Sequence, residues 1–124
     1  MKSLQVYRCF CDETRLRILN LLLEGPLCVC HLTAILEMEQ PKVSRHLKAL
    51  KEAQAVDTER CYNWTIYRLP ENPNAVLDAN LRCLQDLRRE EKIFARDLKR
   101  RKQAVAKNAT IGCENLPQRI RALL

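Results

Sequence analysis

The chain has little glycine, few aromatic residues and no long apolar run. It contains two glycines among 124 residues, and aromatic side chains make up 5% of the total. With so few glycines and only short runs of β-branched residues, the composition favours helices over a large sheet. No apolar stretch approaches the roughly 20 residues that a helix needs to cross a bilayer, so we expect no membrane partner.

Cysteine, in contrast, is abundant, with seven in the chain. The N-terminal segment lacks the apolar core of a signal peptide, so we expect a cytoplasmic protein whose thiols are mostly reduced. In that compartment, clustered cysteines more often bind metal or sense redox state than form structural disulfides.

Positive charge exceeds negative charge, because 22 Lys and Arg stand against 15 Asp and Glu and give a formal net charge of +7. A basic domain of this size suggests a polyanionic partner. The length suits one domain with a modest core, so oligomerisation would add to the surface it buries.

The spacing of apolar residues, capping residues and prolines predicts a mainly helical domain at residues 1–107, followed by a loose tail at 108–124. The expected elements are, in order, a short helix at 3–11, a helix capped by Asp12, a helix at Cys28–Leu36, a helix from Pro41, strands at Val56–Arg60 and Trp64–Leu69, and a long helix at about 74–107. The long helix carries one apolar stripe, which a small domain cannot bury alone. We therefore expect part of that stripe to face another chain.

Two helices joined by a short turn and followed by a two-stranded hairpin are typical of a winged helix-turn-helix. A major groove about 12 Å wide admits one helix, and the helix from Pro41 presents polar residues at its N-terminal end. Gln40 and Arg45 suit adenine and guanine edges, whereas lysines suit phosphates. The candidate DNA-binding residues are Gln40, Lys42, Ser44, Arg45, His46, Lys48 and Arg60.

Four stretches resemble the ArsR/SmtB family of metal-responsive transcriptional repressors: "CDETRLRILNLLLEG", "PLCVCHL", "QPKVSRHLKALKEAQAV" and "WTIYRL". The resemblance covers roughly residues 4–105, and "LCVCHL" is similar to the arsenic-sensing box of the ArsR branch. It implies a homodimer formed through the first and last helices. It also implies repression at a two-fold symmetric double-stranded DNA operator and release by an inducer.

The chain departs from that box at two positions. The box usually carries a third cysteine three residues after the second, where this chain has Thr33, and an acidic residue after the second cysteine, where it has His31. His31 is expected to be a polar residue at a helix start rather than a ligand. If a third thiol ligand is needed, the candidates are Cys9, Cys11, Cys61, Cys83 and Cys113.

The pair Cys28 and Cys30 predicts a site for a soft, thiophilic ligand. Residues two apart lie about 200° around a regular helix, so both sulfurs can meet only at a helix start that deforms. We expect ligation to distort the helix that supports the recognition helix. Suitable inducers are As(III), Sb(III) or a methylated trivalent arsenical, which needs only two protein sulfurs; other soft metal ions remain possible.

Three alternatives remain. The thiols could sense oxidants or persulfide in a repressor of the same fold, although strain disfavours a direct disulfide across one intervening residue. The chain could instead be a DNA-architectural or protein-binding dimer without an effector. Enzymatic activity is not expected, because the Cys-x5-Arg matches at Cys9–Arg15 and Cys83–Arg89 lack a glycine-containing phosphate loop.

Overall fold

The computed structural model describes residues 1–61 and 63–107, without the side chains of Cys61 and Lys107. The elements are, in order, α1 Lys2–Cys9, α2 Glu13–Leu22, β1 Leu27–Cys28, α3 Val29–Leu36, α4 Gln40–Glu52, β2 Asp57–Cys61, β3 Trp64–Arg68, α5 Ala75–Leu87 and α6 Lys92–Lys107. The predicted class, mainly helical with a small hairpin in winged helix-turn-helix order, is confirmed. The predicted tail at 108–124 lies outside the described residues. Among the helices that are described, none has the length and apolar character to cross a membrane.

Local sequence signals set several element ends as expected. The Asp12 carboxylate accepts a hydrogen bond from the Arg15 backbone N–H at 3.0 Å and caps α2. Pro41 lies in the first turn of α4, where its missing N–H leaves no hydrogen bond unmade. The inner stripe of α4, formed by Val43, Leu47 and Leu50, is fully buried against the core.

The sheet has three strands rather than the predicted two. β1 pairs antiparallel with β3, so Leu27 lies opposite Tyr67 and Cys28 opposite Ile66. Cys28 is thus the last residue of a strand, and α3 begins one residue later than expected. Two residues are too few to give the period-two pattern of a strand, so no sequence signal marked β1.

The long helix predicted at 74–107 is two helices, because the chain turns between Leu87 and Lys92. Arg88 holds this turn: its guanidinium donates to the Asn20 side chain at 2.6 Å, to the Asn20 carbonyl at 2.7 Å and to Glu24 at 2.6 Å. The turn lets α6 fold back over α2 and α3. Phe94 is therefore buried within its own chain.

A buried ion pair fixes α6 to α2. The Arg17 guanidinium donates two hydrogen bonds to the Asp97 carboxylate, at 2.7 and 3.0 Å, and both side chains are buried. One turn further on, Arg101 is also buried and lies against Gly25. Gly25 has φ +137°, and a Cβ there would come within 3.1 Å of the Arg101 guanidinium, so the position requires glycine.

The apolar face predicted for the first helix points outward. Val6 and Cys9 are the residues of α1 that enter the core, whereas Leu4 and Tyr7 are 45% and 52% exposed. Cys11, which was expected to share their stripe, follows α1 and is also exposed. Leu4 and Tyr7, three residues apart, share one face of α1 and leave an apolar patch at the surface.

Candidate nucleic-acid interface and thiol site

The polar residues predicted to bind DNA lie on α4 and the hairpin. Burial of the opposite stripe of α4 turns this face to the solvent. Side chains are exposed at Gln40, Lys42, Arg45, Lys48 and Arg60, and half-buried at Ser44 and His46. Such a helix, with a hairpin beside it, has the form of a groove-reading element with a wing. The roles of these residues in DNA binding remain predictions.

His46 is placed differently from the other candidates. Its Nδ1 accepts a hydrogen bond from the Arg15 guanidinium at 3.3 Å and lies 3.8 Å from an Asp12 carboxylate oxygen. Burial lowers the pKa of His46, although Asp12 opposes that shift. The ring therefore links α4 to the start of α2 and is not simply a surface group.

The two thiols meet at the junction of β1 and α3. The structure joins the sulfur atoms of Cys28 and Cys30 as a disulfide, with 5.4 Å between the Cα atoms. Cys28 is the N-cap of α3 and has extended backbone angles, so the 200° separation of a regular helix does not apply to the pair. The sulfurs are thus brought together with α3 intact, whereas we expected strain to disfavour a direct bond and ligation to distort this helix.

His31 belongs to the same cluster. Its Nδ1 lies 3.0 Å from Sγ of Cys28, and the ligand atoms of Cys28, Cys30 and His31 all lie within 4.8 Å of one another. This is the only group of three potential metal ligands found among the described residues. The interpretation of His31 as merely a polar residue at a helix start was therefore too weak. One signal was available, since positions 28 and 31 are three apart and such residues meet on one face.

His31 is fully buried, and its ring is neutral at physiological pH. Burial, with a smaller contribution from the positive charge of Arg101, lowers its pKa to about 4. A neutral imidazole is the form that can act as a donor to a metal or metalloid. The other ring nitrogen, Nε2, is buried and makes no hydrogen bond within the described part of the chain.

The other cysteines do not complete this site within the described residues of one chain. Cys9 is buried, and burial raises the pKa of its thiol, which opposes both metal binding and nucleophilic chemistry. Cys11 and Cys83 are exposed. The side chain of Cys61 and all of Cys113 lie outside the described residues. Thr33, at the position of the missing cysteine, donates its hydroxyl to the Cys30 carbonyl at 2.8 Å.

A cleft of about 470 Å³ opens beside the thiols, between α4 and the hairpin. The lining residues are Cys28, Val29, Cys30, Thr33, Gln40, Ser44, Asn63, Trp64, Thr65 and Tyr67. Two of them, Gln40 and Ser44, are candidate DNA-binding residues. The structure thus brings Cys28 and Cys30 and part of the predicted DNA-binding face of α4 to one cavity.

Comparison with known proteins agrees with this architecture. The family model described as "Bacterial regulatory protein, arsR family" matches residues 12–58. The arsenic resistance transcriptional regulator ArsR1 of Pseudomonas putida is 47% identical over 87 residues, which are 68% of this chain and 67% of that protein. The arsenical resistance operon repressor of Escherichia coli is 40% identical over 88 residues, covering 67% of this chain and 75% of the relative.

Solved structures show the same fold. HlyU from Vibrio cholerae superimposes with a TM-score of 0.62 at 29% identity, covering 69% of this chain and 90% of HlyU. The family match covers α2 to the start of β2, which includes the thiol pair and the whole of α4.

Proposed function

The chain belongs to the arsR family of bacterial regulatory proteins, and on that premise we propose that it is a transcriptional repressor induced by a trivalent metalloid. The inducer would be As(III), Sb(III) or a methylated trivalent arsenical held by Cys28 and Cys30. One observation carries this proposal: two cysteine sulfurs, which become thiols on reduction, and a neutral imidazole form one cluster beside α4. Relatives named as arsenical resistance repressors support it.

The donor set fits a soft, thiophilic ligand. Thiolates favour soft ions, and a neutral imidazole adds a borderline donor without adding charge. Cys28 and Cys30 would bind as thiolates, which they can do only in the reduced state. His31 would orient or complete the site through Nδ1, which already lies 3.0 Å from Sγ of Cys28.

We propose that α4 enters the major groove of the operator. Arg45 and Gln40 would contact base edges, whereas Lys42 and Lys48 would contact phosphates. Arg60, exposed on the hairpin, would reach the adjoining backbone or minor groove. Ser44 and His46 would lie at the edge of this interface, because both are half-buried.

Two routes connect the thiols to the DNA-binding elements. Cys28 pairs with Ile66 of β3 in the sheet, and Cys30 lies in the first turn of α3, which packs on α4. A hundredfold loss of operator affinity requires about 2.7 kcal/mol of coupling, within the roughly 1–3 kcal/mol found for allosteric proteins. Bound DNA should weaken inducer affinity by the same factor.

The test is operator release by arsenite under a phosphine reductant. The probe is a duplex that the wild-type protein has selected from a random-sequence pool. Cys28→Ser and Cys30→Ser should each bind this duplex normally and fail to release it, because either change leaves one sulfur. Cys83→Ser, which removes an exposed cysteine on α5, is the matched control and should behave as wild type.

Arg45→Ala should lose about 1–3 kcal/mol of binding free energy for the duplex. This loss would verify that the assay reports specific binding. If arsenite still releases the duplex from both Cys28→Ser and Cys30→Ser, the proposed inducer site is wrong. If only an oxidant or a persulfide releases the duplex, the protein senses the redox state of its thiols rather than a metalloid.

A further inference from the structure

α6 presents positive charge to the solvent on one of its faces. Its exposed charged residues are Lys92, Arg96, Lys99 and Lys102, here called the basic face. Its single acidic residue, Asp97, is buried and paired with Arg17. We propose that the basic face binds the phosphate backbone of a second duplex DNA segment while α4 holds the operator. The second surface goes beyond the proposed function and takes from it only that α4 contacts operator DNA.

The four side chains share one side of the helix. At 100° per residue, Lys92, Arg96 and Lys99 fall within a sector of about 60°, and Lys102 flanks that sector. The residues that α6 buries lie on the opposite side, centred on Arg101. Within residues 1–61 and 63–107, none of the four forms a salt bridge. The positive charge of this face is therefore available to a partner.

The charge on this face has a single sign. A surface that only keeps a protein soluble usually mixes both signs, whereas a field of one sign attracts a partner of the opposite sign. The four residues extend over about 15 Å of the helix axis. The same length of duplex axis carries about nine phosphates. The basic face can therefore meet phosphate along its whole length, whatever the DNA sequence.

The other exposed residues of this face favour a duplex over other polyanions. Between residues 92 and 106, all of which are described, they are Ala95, Gln103 and Ala106. Proteins bind single strands by stacking bases on aromatic side chains, and protein–protein interfaces are enriched in aromatic residues and depleted in lysine. The basic face offers neither aromatic nor large apolar side chains, so phosphate contact is the interaction that it can make.

The basic face lies on the far side of α3 from α4. α6 meets α3 at Ile35, whose carbonyl accepts a hydrogen bond from Arg100 at 3.3 Å, and Arg101 interacts electrostatically with His31. Thr33 instead lines the cleft beside α4. Since His31 and Thr33 are about 200° apart around the helix, α3 separates α6 from α4. The basic face points away from α3, so a straight duplex on α4 cannot reach it.

The test measures whether protein that already holds its operator binds a second duplex. The full-length protein is mixed with a slight excess of the selected duplex described above, so that every α4 is occupied. This complex is then titrated at low salt into a trace of fluorescein-labelled duplex of random sequence, and the fluorescence anisotropy is followed. We expect binding, with an affinity whose logarithm falls steeply as the logarithm of the salt concentration rises.

The variant Lys92→Gln, Arg96→Gln, Lys99→Gln, Lys102→Gln removes the charge of the basic face. It should weaken binding of the second duplex at least about tenfold and lower the salt slope by up to about four. Its operator affinity should stay within about threefold of wild type at about 0.15 M salt, where charges are screened beyond about 8 Å. The matched control Lys92→Arg, Arg96→Lys, Lys99→Arg, Lys102→Arg keeps every charge and should behave as wild type.

Three results would overturn the inference of a second DNA segment. The first is a wild-type complex that does not bind the labelled duplex, or a Gln variant that binds it as tightly as the control. The second is a matching loss of operator affinity and salt slope in the Gln variant, since the basic face would then belong to the operator contact. The third is displacement of the labelled duplex by poly-L-glutamate at equal charge concentration, which would assign the face to acidic proteins.

These results leave the proposed function standing, because arsenite release is measured separately. If the wild-type protein selects no duplex from the random-sequence pool, the proposed function fails as well.

Discussion

His31 is a fully buried histidine beside a thiol, and its protonation is linked to folding. Burial and Arg101 hold its pKa at about 4, against about 6.5 for a histidine in an unfolded chain. Between these values the unfolded state binds more protons than the folded state. Titration of His31 therefore leaves the free energy of unfolding unchanged above pH 6.5 and lowers it progressively as the pH falls from 6.5 to 4.

We predict that this residue accounts for about 3 kcal/mol of stability lost between pH 7 and pH 4. Urea unfolding of wild type and His31→Gln across that pH range measures the loss. The carboxylates titrate in both proteins, so their contribution disappears from the difference between the two free energies of unfolding. His46→Gln is the matched control and should change the pH dependence less, because His46 is only half-buried. Parallel curves for wild type and His31→Gln would contradict the prediction.

At the residue level, the sequence singled out Cys28 and Cys30, which the structure brings together beside α4, whereas the roles of these cysteines and of the candidate DNA-binding residues remain predictions. The sequence could not show that His31 points inward, because the burial of its ring depends on α6 and Arg101, which lie about 70 residues away along the chain. It also could not show that Cys28 lies in a strand, since that assignment comes from pairing with Ile66.

Among the elements, α6 is held in place by a buried ion pair in addition to the apolar packing of Phe94. Asp97 is buried at 0% exposure and receives both hydrogen bonds from Arg17. Removing one member of a buried pair leaves an uncompensated charge, whereas replacing both members with apolar residues is often neutral.

Asp97→Ala should therefore destabilise the fold by about 3–5 kcal/mol, and the double variant Arg17→Met, Asp97→Leu should be much closer to wild type. Thermal or urea unfolding measures both. Asp78→Ala, which breaks the exposed pair of Asp78 with Arg82, is the control and should cost about 0.5 kcal/mol or less. A similar loss in Asp97→Ala and Asp78→Ala would show that α6 does not depend on the buried pair.

The break between α5 and α6 shows the limit of reading elements from local pattern. The segment 88–91 contains neither glycine nor proline, and the apolar stripe continues across it, so the sequence predicts one helix. The turn depends instead on Arg88 reaching Asn20 in α2 and Glu24 just after it. By contrast, α2 and α4 were predictable, because Asp12 and Pro41 mark their starts locally.

For the whole molecule, the exposed apolar residues favour a dimer. Leu4 and Tyr7 on α1 and Leu87 at the end of α5 are large and exposed, and α1 packs against α5 in the same chain. We propose that a second copy covers this patch, which agrees with the family resemblance for α1. The resemblance places the second contribution on the last helix, predicted at about 74–107, and α5 forms the first part of that segment.

Tyr7→Glu should weaken dimerisation by at least about tenfold, because it puts a charge into an apolar contact. Sedimentation velocity over a concentration series measures the dimer, and operator affinity should fall with it. Gln5→Glu adds the same charge at an exposed position on α1 and should leave the dimer intact. Equal dimerisation of the two variants would exclude α1 from the interface.

The pairing of Leu27 and Cys28 with β3 has an evolutionary consequence. One backbone segment carries Cys28, which we propose binds the inducer, and also forms the edge of the three-stranded sheet. If Cys28 and the wing act as proposed, selection for a new inducer at position 28 would also change how the wing is held against DNA. Sensitivity and operator choice should be inherited together in such repressors, and lineages that separate them would have to move the sensing thiols to another helix.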